Sequence, residues 1–119
     1  MPGRGRAAHV LMSDEALELV AARFRVLADA SRLRLLDLLM QGEAPVQALV
    51  ESSGLSQTNV SRHLGLLRRE GLVARTRDGN RAVYRIADPS VQKLCRLVCG
   101  GISDQLAGGL DAMQVSDGI

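Results

Sequence analysis

The feature that most constrains the fold is a change of hydrophobic period at Gly71. Before this glycine, apolar residues recur every three or four positions, which is the spacing of an amphipathic helix. In residues 72–76 and 82–86 the period shortens to about two, as in half-buried strands. The Asp-Gly pair at positions 78 and 79 is a strong hairpin signal. The chain is therefore predicted to change from helices to one antiparallel hairpin at Gly71.

Four helices are predicted before the hairpin and one after it. Each begins beside a residue that can cap or open a helix, and Gly42 and Gly71 end the second and the fourth. Phe24 and Tyr84 are the only aromatic residues, so aliphatic side chains must build the core, which favours helices. The predicted helices cover residues 14 to about 27, 29 or 31 to 42, 45–53, 57 to about 70, and 90 to about 106.

This order of elements predicts a winged helix-turn-helix, mainly α with a small β-hairpin (α-α-α-α-β-β-α). A chain of 119 residues has the size of one domain. We expect that domain at residues 13–107, between flexible tails at 1–12 and 108–119. The sequence shows no apolar run typical of a signal peptide or a membrane span. We therefore expect a cytoplasmic protein without a membrane partner, in which the cysteines stay reduced.

Basic residues concentrate on the fourth helix and on the hairpin. Residues 55–85 hold seven arginines against two acidic residues, a local net charge of +5, whereas the whole chain carries +2. Such a local excess is typical of a surface that binds nucleic-acid phosphates. The sequence shows neither a nucleophile–base pair nor a glycine-rich phosphate loop, which argues against an enzyme.

In helix-turn-helix proteins the second helix of the motif lies in the major groove of DNA. Here Val60, Leu64 and Leu67 form the predicted buried stripe of that helix, so we expect its other polar residues to face outward. Glutamine and arginine can recognise adenine and guanine, and arginines further along can contact phosphates. The candidate DNA-binding residues are Ser56, Gln57, Thr58, Ser61, Arg62, His63 and Arg68 on the helix, and Arg77 and Arg81 at the hairpin tip.

A single domain of this kind presents one helix to the bases of DNA, here called the reading helix, which limits affinity and specificity. A two-fold dimer on a pseudo-palindromic DNA site is the usual solution. We expect the first and last helices to form the interface, because their apolar faces are wider than a small monomer can bury. A winged-helix module that binds only protein is the alternative, although arginines on both reading elements argue against it.

Three segments carry a combined pattern: LADASRLRLLDLL (27–39), SGLSQTNVSRHLGLLRREGLV (53–73) and RDGNRAVYRI (77–86). Together they resemble the ArsR/SmtB family of bacterial winged-helix transcriptional repressors. The resemblance implies a homodimer that blocks transcription on a double-stranded DNA operator. It also implies release by an inducer, often a metal ion or a thiol-reactive species. A regulator of this type without a small-molecule inducer is a second alternative.

The inducer sites of the better-known family members are incomplete in this sequence. Pro45 and Gln47 stand where the arsenic-sensing members carry a cysteine pair. In the zinc-sensing pattern of the last helix, Asp88 and Asp104 supply oxygen atoms, but both histidine positions are lost. Asp37 lies near the position of the second-helix thiol of the persulfide-sensing members.

Cys95 and Cys99 are the only cysteines, one turn apart on the last helix. Residues four apart share one side of a helix, so both sulfurs could reach one thiophilic metal or metalloid ion. Reactive sulfur species or oxidants are further candidates for this site. Plain packing is an equally good interpretation, since free cysteine often behaves as a small buried hydrophobe. The pair is therefore the candidate inducer site, and no other cofactor is predicted.

Overall fold

The computed structural model describes residues 11–108, which form five helices and a three-stranded antiparallel sheet. The helices are α1 (Asp14–Leu27), α2 (Ala30–Met40), α3 (Val46–Ser53), α4 (Gln57–Arg69) and α5 (Pro89–Ala107). The strands are β1 (Ala44–Pro45), β2 (Val73–Asp78) and β3 (Arg81–Ile86). The predicted winged helix-turn-helix is confirmed, with α3 and α4 as the helix pair and the β2–β3 hairpin as the wing. Most of both predicted tails, residues 1–10 and 109–119, lies outside the described part.

Side-chain caps fix where four of the five described helices begin, and in α5 the cap is Asp88, which accepts from the Ser90 N–H over 3.0 Å. Ser13, Asp29 and Ser56 each accept a hydrogen bond from the backbone N–H three residues on, over 3.1, 3.0 and 3.1 Å. Each bond satisfies a donor that the first helical turn leaves without an internal partner. Of the two predicted caps of α2, the structure uses Asp29. The hydrogen bond from the Arg32 backbone N–H is the main reason that the pKa of Asp29 is lowered.

The turn between α3 and α4 depends on a glycine in the left-handed region. Gly54 follows α3 with φ of 76° and ψ of 5°, and its N–H donates to the Val50 carbonyl. Glycine adopts this conformation without the steric penalty of a Cβ atom. The chain can therefore turn within three residues, and the Ser56 cap then starts α4.

The structure contains one strand that the sequence did not predict. Ala44 and Pro45 pair with Tyr84 and Val83 of β3, which gives the strand order β1-β3-β2. Pro45 is therefore not the first residue of the third helix, but its extended N-cap. A two-residue strand is too short to show an alternating pattern, so hydrophobic periodicity could not reveal it.

The hydrophobic core lies between α2, α3, α4 and the sheet, whereas α1 and α5 pack on its outside. In the described part of the chain, α1 and α5 each contribute one buried residue, Leu27 and Val91. None of the helices within residues 11–108 combines the length and the hydropathy that crossing a bilayer requires. The fully buried side chains of the core are Leu35, Leu36, Leu49, Val60, Leu64, Leu67 and Leu72.

Candidate nucleic-acid interface

Helix α4 turns a polar face toward solvent. Its buried side includes Val60, Leu64 and Leu67, as predicted. These three side chains fix the rotation of the helix on the core. The opposite side is open over the first two turns, where helix-turn-helix proteins contact base edges. The candidate residues of this helix that are exposed are Ser56, Gln57, Thr58, Ser61, Arg62 and Arg68. Their contact with DNA stays a prediction.

The outward position predicted for His63 is wrong. Only 6% of this residue is exposed, and its Nδ1 lies 3.2 Å from a guanidinium nitrogen of Arg32 on α2. Burial is the main cause that lowers the pKa of His63. Position 63 follows the buried Val60 by three residues, so it lies beside the buried stripe and not opposite it. His63 therefore belongs to the packed side of α4.

Asn59 is an exposed residue of the reading face that the sequence interpretation missed. Its Oδ1 accepts a hydrogen bond of 3.1 Å from the Arg62 guanidinium, one turn further along α4. The contact holds that guanidinium beside the N-terminal half of the helix. A polar pair at this spacing is visible in the sequence, and it is the signal that could have identified Asn59.

The wing carries arginines on both of its strands. Asp78 pairs with Arg81, so Gly79 and Asn80 alone form the loop, which is shorter than the predicted five-residue connection. Gly79 has φ of 64°, as such a tight turn requires. Arg81 approaches the Asp78 carboxylate at 3.4 Å, whereas Arg77 has no carboxylate within salt-bridge distance among residues 11–108. The Arg77 charge is therefore available to a phosphate.

Arg23 of α1 connects the reading helix to the outer helices. One of its two terminal guanidinium nitrogens donates to the Asp88 carboxylate at 2.7 Å, and the other terminal nitrogen donates to the Glu70 carbonyl at 2.8 Å. Glu70 is the C-cap of α4, and Asp88 is the N-cap of α5. Hydrogen bonds from Ser90, followed by the charge of Arg23, lower the pKa of Asp88. One side chain thus joins α1, the end of α4 and the start of α5.

Cys95 and Cys99 are free thiols, each partly exposed on α5. Cys95 packs against the core, and its burial raises the pKa of its thiol, with Asp37 and Cys99 as smaller causes. A protonated thiol is a weak nucleophile. Within residues 11–108, no three histidine, cysteine or acidic side chains are grouped to hold a metal ion. A metal ion at this pair would need further ligands from outside the described chain.

The helix-turn-helix segment matches a known protein family. Residues 29–75 fit the family described as "Bacterial regulatory protein, arsR family". The chain is also 38% identical over 100 residues to the uncharacterised HTH-type transcriptional regulator Rv0081 of Mycobacterium tuberculosis, covering 80% of this chain and 88% of that one. The chain belongs to the arsR family. This arsR-family protein is therefore a DNA-binding transcriptional regulator and not an enzyme.

Solved relatives share the fold of this arsR-family chain. The crystal structure of Rv0081 gives a TM-score of 0.73 at 36% identity, covering 81% of this chain and 97% of that one. The homodimeric winged helix-turn-helix domain of Mb0332 from Mycobacterium bovis, solved by NMR, gives 0.71 at 36% identity, covering 87% and 97%. A third relative, the probable mercury resistance operon repressor of Streptomyces lividans, is 43% identical over 74 residues, which are 62% of this chain and 59% of that protein.

Proposed function

We propose that this arsR-family regulator is a repressor that binds a pseudo-palindromic operator as a homodimer. The observation that carries the proposal is the open polar face of α4 beside a wing with arginines on both strands. We expect the exposed Gln57 and Arg62 to contact base edges, and the exposed Arg68 and Arg77 to contact phosphates. The Streptomyces relative is named as a repressor, which supports the direction of regulation. Repression needs no catalytic group, because occupying the operator is sufficient.

The exposed apolar faces of α1 and α5 support the dimer. Leu19 and Leu97 are 73% and 74% exposed, and Phe24 is 51% exposed. Soluble monomers rarely leave so many large apolar side chains in water. A second copy that covers both helices would gain about 25 cal/mol per Å² of apolar surface removed from water. The homodimeric state of the M. bovis relative agrees with this arrangement.

DNA binding is tested by fluorescence anisotropy on a random-sequence duplex at two salt concentrations. Binding should weaken steeply as salt rises, because contacts with phosphates release counterions. Arg62→Ala and Arg77→Ala should each weaken binding, whereas Arg34→Ala, an exposed arginine of α2, should leave it unchanged. Rounds of selection from the same pool should enrich an inverted repeat, here called the selected duplex. If the folded protein binds no duplex even at low salt, the proposal fails and a protein-interaction module is favoured.

We further infer that Cys95 and Cys99 form the inducer site, with a thiophilic metal or metalloid ion, or a reactive sulfur species or oxidant, as the inducer. The two residues are four apart on one helix, so both sulfurs can reach the same ion. The pair lies on α5, one of the two helices assigned to the dimer interface. The name of the Streptomyces relative refers to mercury, which is a thiophilic metal.

The inducer assignment is tested by titrating the protein–DNA complex with arsenite, Cd²⁺, Zn²⁺ and a persulfide donor. One of them should release the wild-type protein and should not release the double variant Cys95→Ala, Cys99→Ala. Alanine is preferable to serine because Cys95 packs against apolar residues, where a hydroxyl would need a partner. If the double variant responds as wild type does, the two thiols only pack.

A further inference from the structure

A buried histidine on a reading helix calls for a physical reason, because an apolar side chain would fill the space without a polar atom to satisfy. His63 meets the guanidinium of Arg32, whose side chain is only 14% exposed. The same guanidinium donates through Nε to the Val26 carbonyl in the last turn of α1, over 2.6 Å. It also lies 3.8 Å from the Asp29 carboxylate. Arg32 thus connects the end of α1 and the start of α2 with the middle of α4.

The chemistry of the two partners fixes the protonation state of His63. Arginine has only donors, so Nδ1 of His63 must be the acceptor and carries no proton. The neutral tautomer with its proton on Nε2 is therefore the form that fits. An imidazolium could not accept the bond and would place a second positive charge against Arg32.

The charged groups around His63 have opposite effects on its pKa. Asp29 at the N-cap of α2 favours the imidazolium, whereas Arg32 of α2 and Arg62 of α4 oppose it. Burial opposes it more strongly than either arginine, and the pKa of His63 is lowered as a result. The neutral form is thus the one that the packed helix holds.

We propose that His63 is a positioning residue. Its neutral imidazole accepts the Arg32 hydrogen bond and so fixes the orientation of α4 relative to the end of α1 and the start of α2, and its protonation breaks this bond, lets α4 shift on the core and weakens DNA binding. The inference rests on the proposed function, because only a DNA-reading helix needs this orientation. Since Arg32 also holds the Val26 carbonyl, the same link joins the reading helix to a helix of the proposed dimer interface.

The direction of the pH effect follows from proton linkage. When the bond to Arg32 opens and α4 shifts, His63 meets water and regains its ordinary pKa of 6.5, whereas in the packed form the pKa is lower. The shifted form therefore binds more protons, and its share grows as the pH falls below about 6.5. The overall charge predicts the opposite trend, since a protein that gains protons attracts a polyanion more strongly. A loss of affinity at acidic pH would therefore distinguish the protonation of His63 from the general effect of protein charge.

The test measures affinity for the selected duplex between about pH 7.5 and pH 5.5, the range in which histidine titrates. Wild type should lose affinity as the pH falls across this range. His63→Asn keeps an acceptor oxygen near the position of Nδ1 but does not titrate, so it should bind well at neutral pH without losing affinity in acid. His63→Leu leaves the Arg32 donor without its partner and should bind weakly at both pH values.

A second readout needs no DNA. In the free protein, NMR should show His63 titrating below its ordinary pKa, with the amide signals of α4 shifting as it protonates. If the α4 amides do not follow that titration, or if wild type and His63→Asn share one pH profile of affinity, the positioning role is overturned. If no variant binds any duplex while the NMR result holds, the proposed function fails and the link between His63 and Arg32 stands.

Discussion

At the scale of single residues, the exposed polar face of α4 combines side chains that point into solvent with neighbouring side chains that restrict their conformations. Arg62 is exposed, yet its guanidinium is held by Asn59 at 3.1 Å. A side chain that is already restricted loses less conformational entropy when it meets a base. We therefore expect Asn59 to assist binding without touching DNA itself.

Replacing Arg62 should therefore affect sequence discrimination as well as affinity. Arg62→Ala should cost about 1–3 kcal/mol on the selected duplex, because a bidentate base contact is lost, and less on a random duplex. Asn59→Ala should cost less than Arg62→Ala, since the arginine remains. Anisotropy on both duplexes measures these losses, and an equal loss for Arg62→Ala on the two duplexes would show that it contacts only phosphate.

The residues on the outward face of α4 could be predicted because the buried stripe of a helix defines the opposite side. The inward orientation of His63 could not be predicted, because this residue lies at the border of that stripe. Whether a polar side chain at such a border turns inward depends on a partner, and Arg32 lies 31 positions earlier in the chain. Short-range spacing carries no information about a contact of that kind.

At the scale of helices and strands, the position of α4 depends on contacts at both of its ends. Ser56 caps its start, and Arg23 holds the carbonyl of its C-cap together with the Asp88 carboxylate. The caps could be predicted because capping depends on residues three positions apart. The Arg23 contacts and the short strand β1 could not, because their partners lie on elements distant in sequence.

Asp88→Asn should lower the free energy of unfolding by about 0.5–1 kcal/mol at neutral pH, since it removes the charge from a helix N-terminus and from the Arg23 pair. The pKa of Asp88 is lowered in the folded protein, so its contribution is present above 3.8 and is lost as the pH falls through the folded-state pKa. Urea unfolding at neutral and acidic pH measures both effects.

Asp78→Asn is the matched control, because Asp78 forms an exposed pair with Arg81 on the wing. Exposed ion pairs contribute little to stability, so this change should have almost no effect at any pH. If Asp88→Asn and Asp78→Asn lower the free energy of unfolding equally, the contacts of Arg23 between α1, α4 and α5 add no more stability than an exposed ion pair.

At the scale of the whole molecule, the core supports the reading helix, and the outer helices are left with apolar surface. This division suits a dimer in which α1 and α5 set the spacing of two copies of α4. Any ligand that moves the outer helices would then change that spacing. The sequence predicted this apolar excess from composition and helical periodicity, but the pairing of two copies is decided by surface shape, which periodicity does not describe.

Leu97→Glu should convert the dimer into a monomer, because it would bury a charge without a partner at the interface. Affinity for the selected duplex should then fall at least about tenfold, since one reading head replaces two. Gln41→Glu on the exposed end of α2 adds the same charge and should change neither property. Sedimentation equilibrium with anisotropy measures both, and a dimeric Leu97→Glu protein would contradict the assigned interface.

The most direct test of the central claim is a hydroxyl-radical footprint of the protein on the selected duplex. A dimer that inserts two copies of α4 should protect two segments related by two-fold symmetry, with centres about 10 base pairs or a multiple of this apart. Arg77→Ala should weaken protection at the outer edges of both segments, where the wings would contact phosphates. A single protected segment, or protection without two-fold symmetry, would contradict the account.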